Sequence, residues 1–194
     1  MGDIVLAGST SGTTTLTPTA VSGTTTLTLP ATTGTVVTKD TNGILSVNGV
    51  QFPATQSASA DANCLDDYEE GTFTPTYIGA SSNPTVTYGQ QVGKYTKIGN
   101  VVYYFIRLDT TATAGGGGAL SITGLPFTVG ADQTVPGAYI GYTVNWTTNA
   151  PTFGRSSGVA VELYRSGTTG EAAITTANLS ASIGFIIGGM YRIA

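Results

Sequence analysis

Four carboxylates, Asp66, Asp67, Glu69 and Glu70, stand within one short segment of a chain in which only 9% of residues are charged. Such a cluster could cleave a glycoside, which needs two carboxyls flanking one bond. It could also bind calcium through oxygen ligands. The spacing argues against both. Near-adjacent acids on a short segment do not face one another across a sugar. The stretch that begins Asp61-Ala62-Asn63 places Leu65 where a third oxygen ligand belongs. A solvated neck that helps set chain register is the simpler reading. There is no histidine, which removes Ser-His-Asp and Cys-His catalysis and the commonest zinc ligand. Cys64 is the single cysteine, so no intrachain disulfide forms, and it reads as a small buried side chain at a domain edge. Gly89-Gln90-Gln91-Val92-Gly93-Lys94 is one residue short of a phosphate loop, with Tyr95 where Ser or Thr is required. The run Gly115–Gly118 reads as a flexible loop. The expectation is a non-enzyme with no metal and no cofactor.

Binding chemistry has better candidates. Trp146 ends an apolar stretch and precedes the polar loop Thr147-Thr148-Asn149-Ala150-Pro151. An aromatic face beside amides and hydroxyls suits sugar stacking with hydrogen bonding. Trp146 reads first as a cap on the core. The functional alternative is a receptor-binding set of Trp146, Thr147, Asn149, Arg155 and Tyr164, with Arg165 a similar candidate. The net charge is -4, from 7 basic and 11 acidic residues with no basic patch, so nucleic acid is not an expected partner. No apolar run approaches a membrane span, and no membrane insertion is expected. Met1-Gly2-Asp3 lacks the basic start of a secretion signal, and Leu6 stands where myristoylation wants Ser or Thr.

The elements that must carry these residues are β-strands. Thr, Gly and Ser replace the charges typical of soluble domains, at roughly a quarter of residues. Thr is β-branched and fits a pleated, half-buried surface. The 27 glycines are too many for long helices. Ser-Gly-Thr-Thr-Thr-Leu-Thr occurs at 11–17 and again at 22–28, and Gly12, Gly23 and Gly34 fall 11 apart. Repeats of this kind are stabilised by stacking or by pairing with copies on other chains. Of 17 aromatic residues only Phe52 lies in the first 60, against 16 threonines there. That segment buries too little to offset its ordering entropy.

The chain divides into an N-terminal anchoring and shaft segment, 1–64, and a distal domain, 65–194. Ile4-Val5-Leu6 reads as a short apolar plug that anchors the N-terminus. Asn42-Gly43 supports a hairpin within 35–53, and residues 54–64 read as a small-residue linker. In the distal domain, 72–78 reads as one strand with Phe73, Pro75 and Tyr77 on one side. Val101–Ile106 is apolar on both faces, so it is central or intersubunit. Ala138, Ile140, Tyr142, Val144 and Trp146 are expected on one face of a long strand. Val159, Val161 and Leu163 are expected on one face of another, opposite Glu162 and Tyr164. Ile183, Phe185, Ile187 and Tyr191 are expected on one face of the last. The expected class is all-β, an extended N-terminal shaft followed by a jelly-roll-like β-sandwich.

Leu65-Asp66-Asp67-Tyr68-Glu69-Glu70-Gly71-Thr72-Phe73-Thr74-Pro75 resembles the opening segment of distal domains in bacteriophage tail fibres. Gly93–Val102 is similar to the next recurring segment of such domains, Ile122–Phe127 to the third, and Gly189–Ile193 to the final strand. The resemblance implies a virion appendage protein, a homotrimer assembled in the host cytoplasm. Its N-terminus would join other virion proteins of baseplate, tail or capsid. Its β-rich head would contact a host surface glycan or protein. A short tail or baseplate fibre is the expected form, and a capsid-mounted head fibre or decoration protein with a purely structural role is the alternative. Because residues 1–60 lack a core, a peptide of that span is expected to show no cooperative thermal transition by circular dichroism.

Overall fold

The computed structural model describes residues 4–7, 11–16, 49, 50, 52, 64, 65, 67–131, 137–146 and 149–193. The chain separates into two compact units, Met1–Val50 and Gln51–Ala194. The expected hairpin at 35–53 and the linker at 54–64 lie almost wholly outside the described residues, as do Thr147 and the second copy of the repeat. In the first unit, β1 (Ile4–Ala7) pairs antiparallel with β2 (Thr13–Leu16), so the apolar plug is hydrogen-bonded to the first repeat.

The second unit is all-β. Its strands are β3 (Tyr68–Phe73), β4 (Thr76–Gly79), β5 (Thr85–Ile98), β6 (Val101–Ala114), β7 (Leu120–Thr123), β8 (Gly137–Val144), β9 (Phe153–Ser157), β10 (Ala160–Gly167), β11 (Gly170–Ala173) and β12 (Gly184–Arg192). A single 3-10 turn, Thr176–Asn178, is the only helical element among the described residues, and no described helix is long and apolar enough to cross a membrane. All the strands join one antiparallel sheet in the order β3-β5-β6-β12-β8-β9-β10-β7-β4, with β11 pairing the end of β10 on the edge opposite β9.

This sheet folds over on itself as a sandwich. The first layer is β3-β5-β6-β12-β8 and the second is β9-β10-β7-β4 with β11. The Tyr104 and Ser156 hydroxyls meet at 2.9 Å between β6 and β9. At the other end, the Tyr88 hydroxyl of β5 accepts from the Tyr77 N–H of β4 at 2.8 Å, and the Gln91 amide donates to the Pro75 carbonyl. The core lies between the layers. Val102, Tyr104, Ile106 and Leu108 of β6 and Phe185, Ile187 and Tyr191 of β12 face Leu120, Ile122, Val161 and Leu163 of the second layer. Ile183 is also buried, so the expected inner face of the last strand is observed, as is that of Val161 and Leu163. Val159 instead sits exposed in the β9–β10 turn.

Two expectations fail for identifiable reasons. The span 72–78 is two strands in different layers, because the chain turns at Thr74-Pro75 and crosses over. Pro75 has no N–H to donate to a ladder, so a strand break there costs little. In β8, the expected common face of Ala138, Ile140, Tyr142 and Val144 is split. Ile140 pairs with Ile187 and Tyr142 pairs with Ile186, leaving Gly141 as an inserted residue. A bulge of this kind shifts the alternation by one. Ala138 and Ile140 therefore face the core, whereas Tyr142 and Val144 are exposed on the outside.

Buried phenols give the sandwich an alkaline limit. Burial pushes Tyr104 up to about 12, against the lowering effect of its bond to Ser156, and burial likewise takes Tyr191 to about 12. The unfolded chain releases these protons near 10.0, so the unfolded state binds fewer protons above that pH and stability falls. Urea unfolding is expected to show stability intact below pH 10 and lost progressively toward about 12. Tyr104→Phe is expected to flatten that decline at a cost of about 1 kcal/mol for the missing hydroxyl bond.

Candidate functional site

In the acidic neck Glu69 and Glu70 are exposed, as a solvated segment requires, whereas Asp67 is buried, and Asp66 lies outside the described residues. Asp67 precedes β3 and is buried with Lys97 of β5, to which it forms an ion pair. The Lys97 ammonium also lies 5.5 Å from the centre of the Phe127 ring. Glu69 and Glu70 fall on opposite sides of β3, as strand alternation requires. Glu69 accepts from the Tyr95 hydroxyl and Glu70 from the Tyr68 hydroxyl. Burial, reinforced by the Glu69 bond, takes the Tyr95 phenol up to about 12. The neck is thus stitched to the β5 strand beside it. Cys64, expected to be buried, is exposed. No group of three or more His, Cys, Asp or Glu placed to hold a metal occurs among the described residues.

The nominated receptor residues fall in two places. Asn145 has a positive φ of 57°, a conformation that short polar side chains tolerate. It ends the first-layer strand β8, and its carbonyl accepts from the Ser180 hydroxyl. Trp146 then packs edge-on to the core residue Phe185, with ring centres 5.6 Å apart. Its indole N–H is buried without a hydrogen-bond partner among the described residues, so the donor that a sugar hydroxyl would need points inward. Asn149 is half-buried in the following loop. Arg155 and Tyr164 lie elsewhere, on the outer face of the second layer. There the guanidinium carbon of Arg155 sits 4.4 Å from the Tyr164 ring centre, and Phe153 stacks on the same ring at 5.7 Å. Arg155 is paired with Glu171, and the Tyr164 hydroxyl donates to Glu162 at 3.0 Å. Partial burial and the Glu162 bond raise the Tyr164 phenol, with Arg155 opposing. This cluster offers a charged, aromatic surface of the kind that recognises polar ligands.

Sequence reasoning missed a larger feature on the outer face of the first layer. Across one row, Thr96 of β5, Tyr103 of β6 and Met190 of β12 are neighbours; across the next, Lys94, Phe105, Gly188 and Tyr139. Tyr142 and Val144 continue the face along β8, and Tyr68 and Ile98 occupy its β3–β5 end. Tyr139 is 69% exposed, Met190 55%, Tyr142 50% and Tyr103 48%. A shallow trough of about 610 Å³ runs over this face, lined by Glu70, Thr72, Lys94, Thr96, Tyr103 and Phe105 among others. A smaller one of about 250 Å³ lies between the Arg107–Asp109 pair and Tyr142. The two-faced apolar run Val101–Ile106, read from the sequence as central or intersubunit, supplies Tyr103 and Phe105 to this surface, whose extent over β8 and β12 the sequence reading did not identify. Tyr139 and Tyr142 carried no signal of it because the bulge at Gly141 decides their direction.

The two kinds of charged contact differ in their expected weight. Lys97→Met strands a buried carboxylate and is expected to cost about 3–5 kcal/mol in urea unfolding. Arg155→Ala removes an exposed pair and is expected to stay within about 1 kcal/mol. No family model, curated protein or solved structure matches this chain.

Proposed function

We propose that this chain is a structural component of a bacteriophage virion, a short homotrimeric tail or baseplate fibre. Its distal domain, read as a jelly roll, docks on a host surface glycan or protein without catalysis. The observation that carries the reading is the β1–β2 ribbon. Ile4, Val5 and Leu6 are each more than half exposed in a strand paired on one side with Thr13–Leu16. A two-stranded ribbon of four-residue strands is marginal alone, and an exposed apolar edge strand invites a partner. Residues 4–6 are the proposed particle anchor, and the packed sandwich is the part presented outward. Successive strands that pass between the two layers, as at Thr74-Pro75 and between β6 and β7, support the jelly-roll reading. Arg155 and Tyr164, aromatic and charged on a rigid sheet, support the receptor-facing role. The inward indole of Trp146 favours a place in the core for that residue.

Particles assembled with full-length protein or with protein lacking residues 2–8 provide the test. Antibody against the sandwich is expected to label the first by electron microscopy and to miss the second, whose distal domain stays folded by circular dichroism. Normal incorporation of the shortened protein would overturn the anchor. Absence of the full-length protein from particles would overturn the virion reading.

A further inference from the structure

We propose that the outer face of β3-β5-β6-β12-β8 is the surface through which copies of this chain meet about a common axis. This rests on the homotrimer reading and assigns its interface. The sandwich has two outer faces of opposite character. The second layer turns Thr76, Ser121, Thr123, Glu162 and Arg155 outward, and the aromatic rings of Phe153 and Tyr164 among them are half-buried against Arg155, so that little apolar surface is left to water there. The first layer turns Tyr103, Phe105, Met190, Tyr139, Tyr142 and Val144 outward, from 37% to 69% exposed. Contiguous apolar surface of that extent is rarely left to water on a monomer.

The area is one that two neighbouring copies would share. Exposed aromatic, Met, Ile and Val side chains on this face amount to on the order of 800 Å², so a ring of three would bury about 400 Å² from each partner at each contact, toward the low end of protein interfaces. The relief is low as well. A Cβ on Gly188 would lie 2.7 Å from the Tyr139 hydroxyl, and one on Gly184 would lie 2.8 Å from Val144. The rings therefore lie down over the glycines, leaving a surface on which another sheet can seat at about 10 Å. The charges suit a like partner. Glu70 and Lys94 sit toward the β3–β5 side, and Arg107 and Asp109 already pair on β6. Both signs stand within the face, with Lys94 beside Phe105 and Arg107 in the row of Ile186 and Tyr142. In a closed ring of three, the two ends of the face meet different parts of neighbouring copies, so these charges find opposite partners.

Light scattering of the purified full chain tests this with Tyr103→Lys/Tyr142→Lys, two exposed positions separated by β12. Wild type is expected at three times the chain mass at micromolar concentration. The double variant is expected to be monomeric there, its dissociation constant raised at least 100-fold. Arg155→Ala, on the opposite face, is expected to keep the wild-type mass. A double variant that stays trimeric with unchanged dissociation overturns the face and leaves the trimer standing. A monomeric wild type overturns the trimer reading itself. If such a monomer binds host polysaccharide and loses it in the double variant, the face is a sugar platform and the proposal fails. Should the double variant misfold, hydroxyl-radical labelling of wild type decides. Tyr103, Tyr139 and Tyr142 are expected to be at least fivefold slower to label than in the chain diluted to monomer. Equal rates overturn the proposal.

Discussion

Strict alternation along β6 is the constraint on which the sandwich depends. Successive side chains of a strand point to opposite faces, and β6 sits mid-layer between β5 and β12. Val102, Tyr104, Ile106 and Leu108 therefore enter the core together, and Tyr103 and Phe105 must leave it together. A slip of one residue would exchange the two sets. The register is held by long ladders on both sides. β5 and β6 are each 14 residues long, and β12 pairs with β6 from Gly184 to Arg192 without a break. Everything attached to this frame inherits its facing.

Glycines let aromatic rings close the frame. Tyr95 lies over Gly71, Phe73 over Gly93 and Tyr104 over Gly189, each so close that a Cβ would fall under 3.0 Å from the ring. These are cross-strand or adjacent-strand neighbours, where a ring can cover a backbone that lacks its own side chain. The same device flattens the outer face, where Tyr139 covers Gly188. The abundance of glycine and tyrosine thus has a packing role in the sheet beyond turns. Asp67 and Lys97 add one buried ionic tie between the segment leading into β3 and the end of β5. A buried pair of this kind fixes a particular arrangement more than it adds stability.

The proposed fibre follows from the contrast between surfaces. A domain whose large exposed apolar side chains gather on one outer face is suited to have that side covered and the other free. The proposed anchor in β1 and the proposed interface on the first layer both expose apolar side chains, the one near the N-terminus and the other drawn from strands between Tyr68 and Arg192. Each is awkward for an isolated chain and useful in an assembly.

The all-β class was legible in the sequence because β-branched residues, scarce charges and frequent glycines leave no helical alternative. So were the core faces of β10 and β12, through the alternation of Val161 with Leu163 and of Phe185 with Ile187, whereas Val101–Ile106 of β6 is apolar on both faces and its core side was not legible. The absence of histidine and the crowding of the acids were enough to argue against acid–base chemistry before any geometry was known. What only the tertiary structure decided were events of one residue: the inserted Gly141, the corner at Thr74-Pro75 and the left-handed Asn145. Each changes which side a following side chain takes, and none alters local composition or propensity. The same holds for the partners of Asp67 and Glu69, since an adjacent strand 26 or more residues away supplies Lys97 and Tyr95. Pairing across such separations depends on the whole sheet closing, and no local stretch of sequence encodes it.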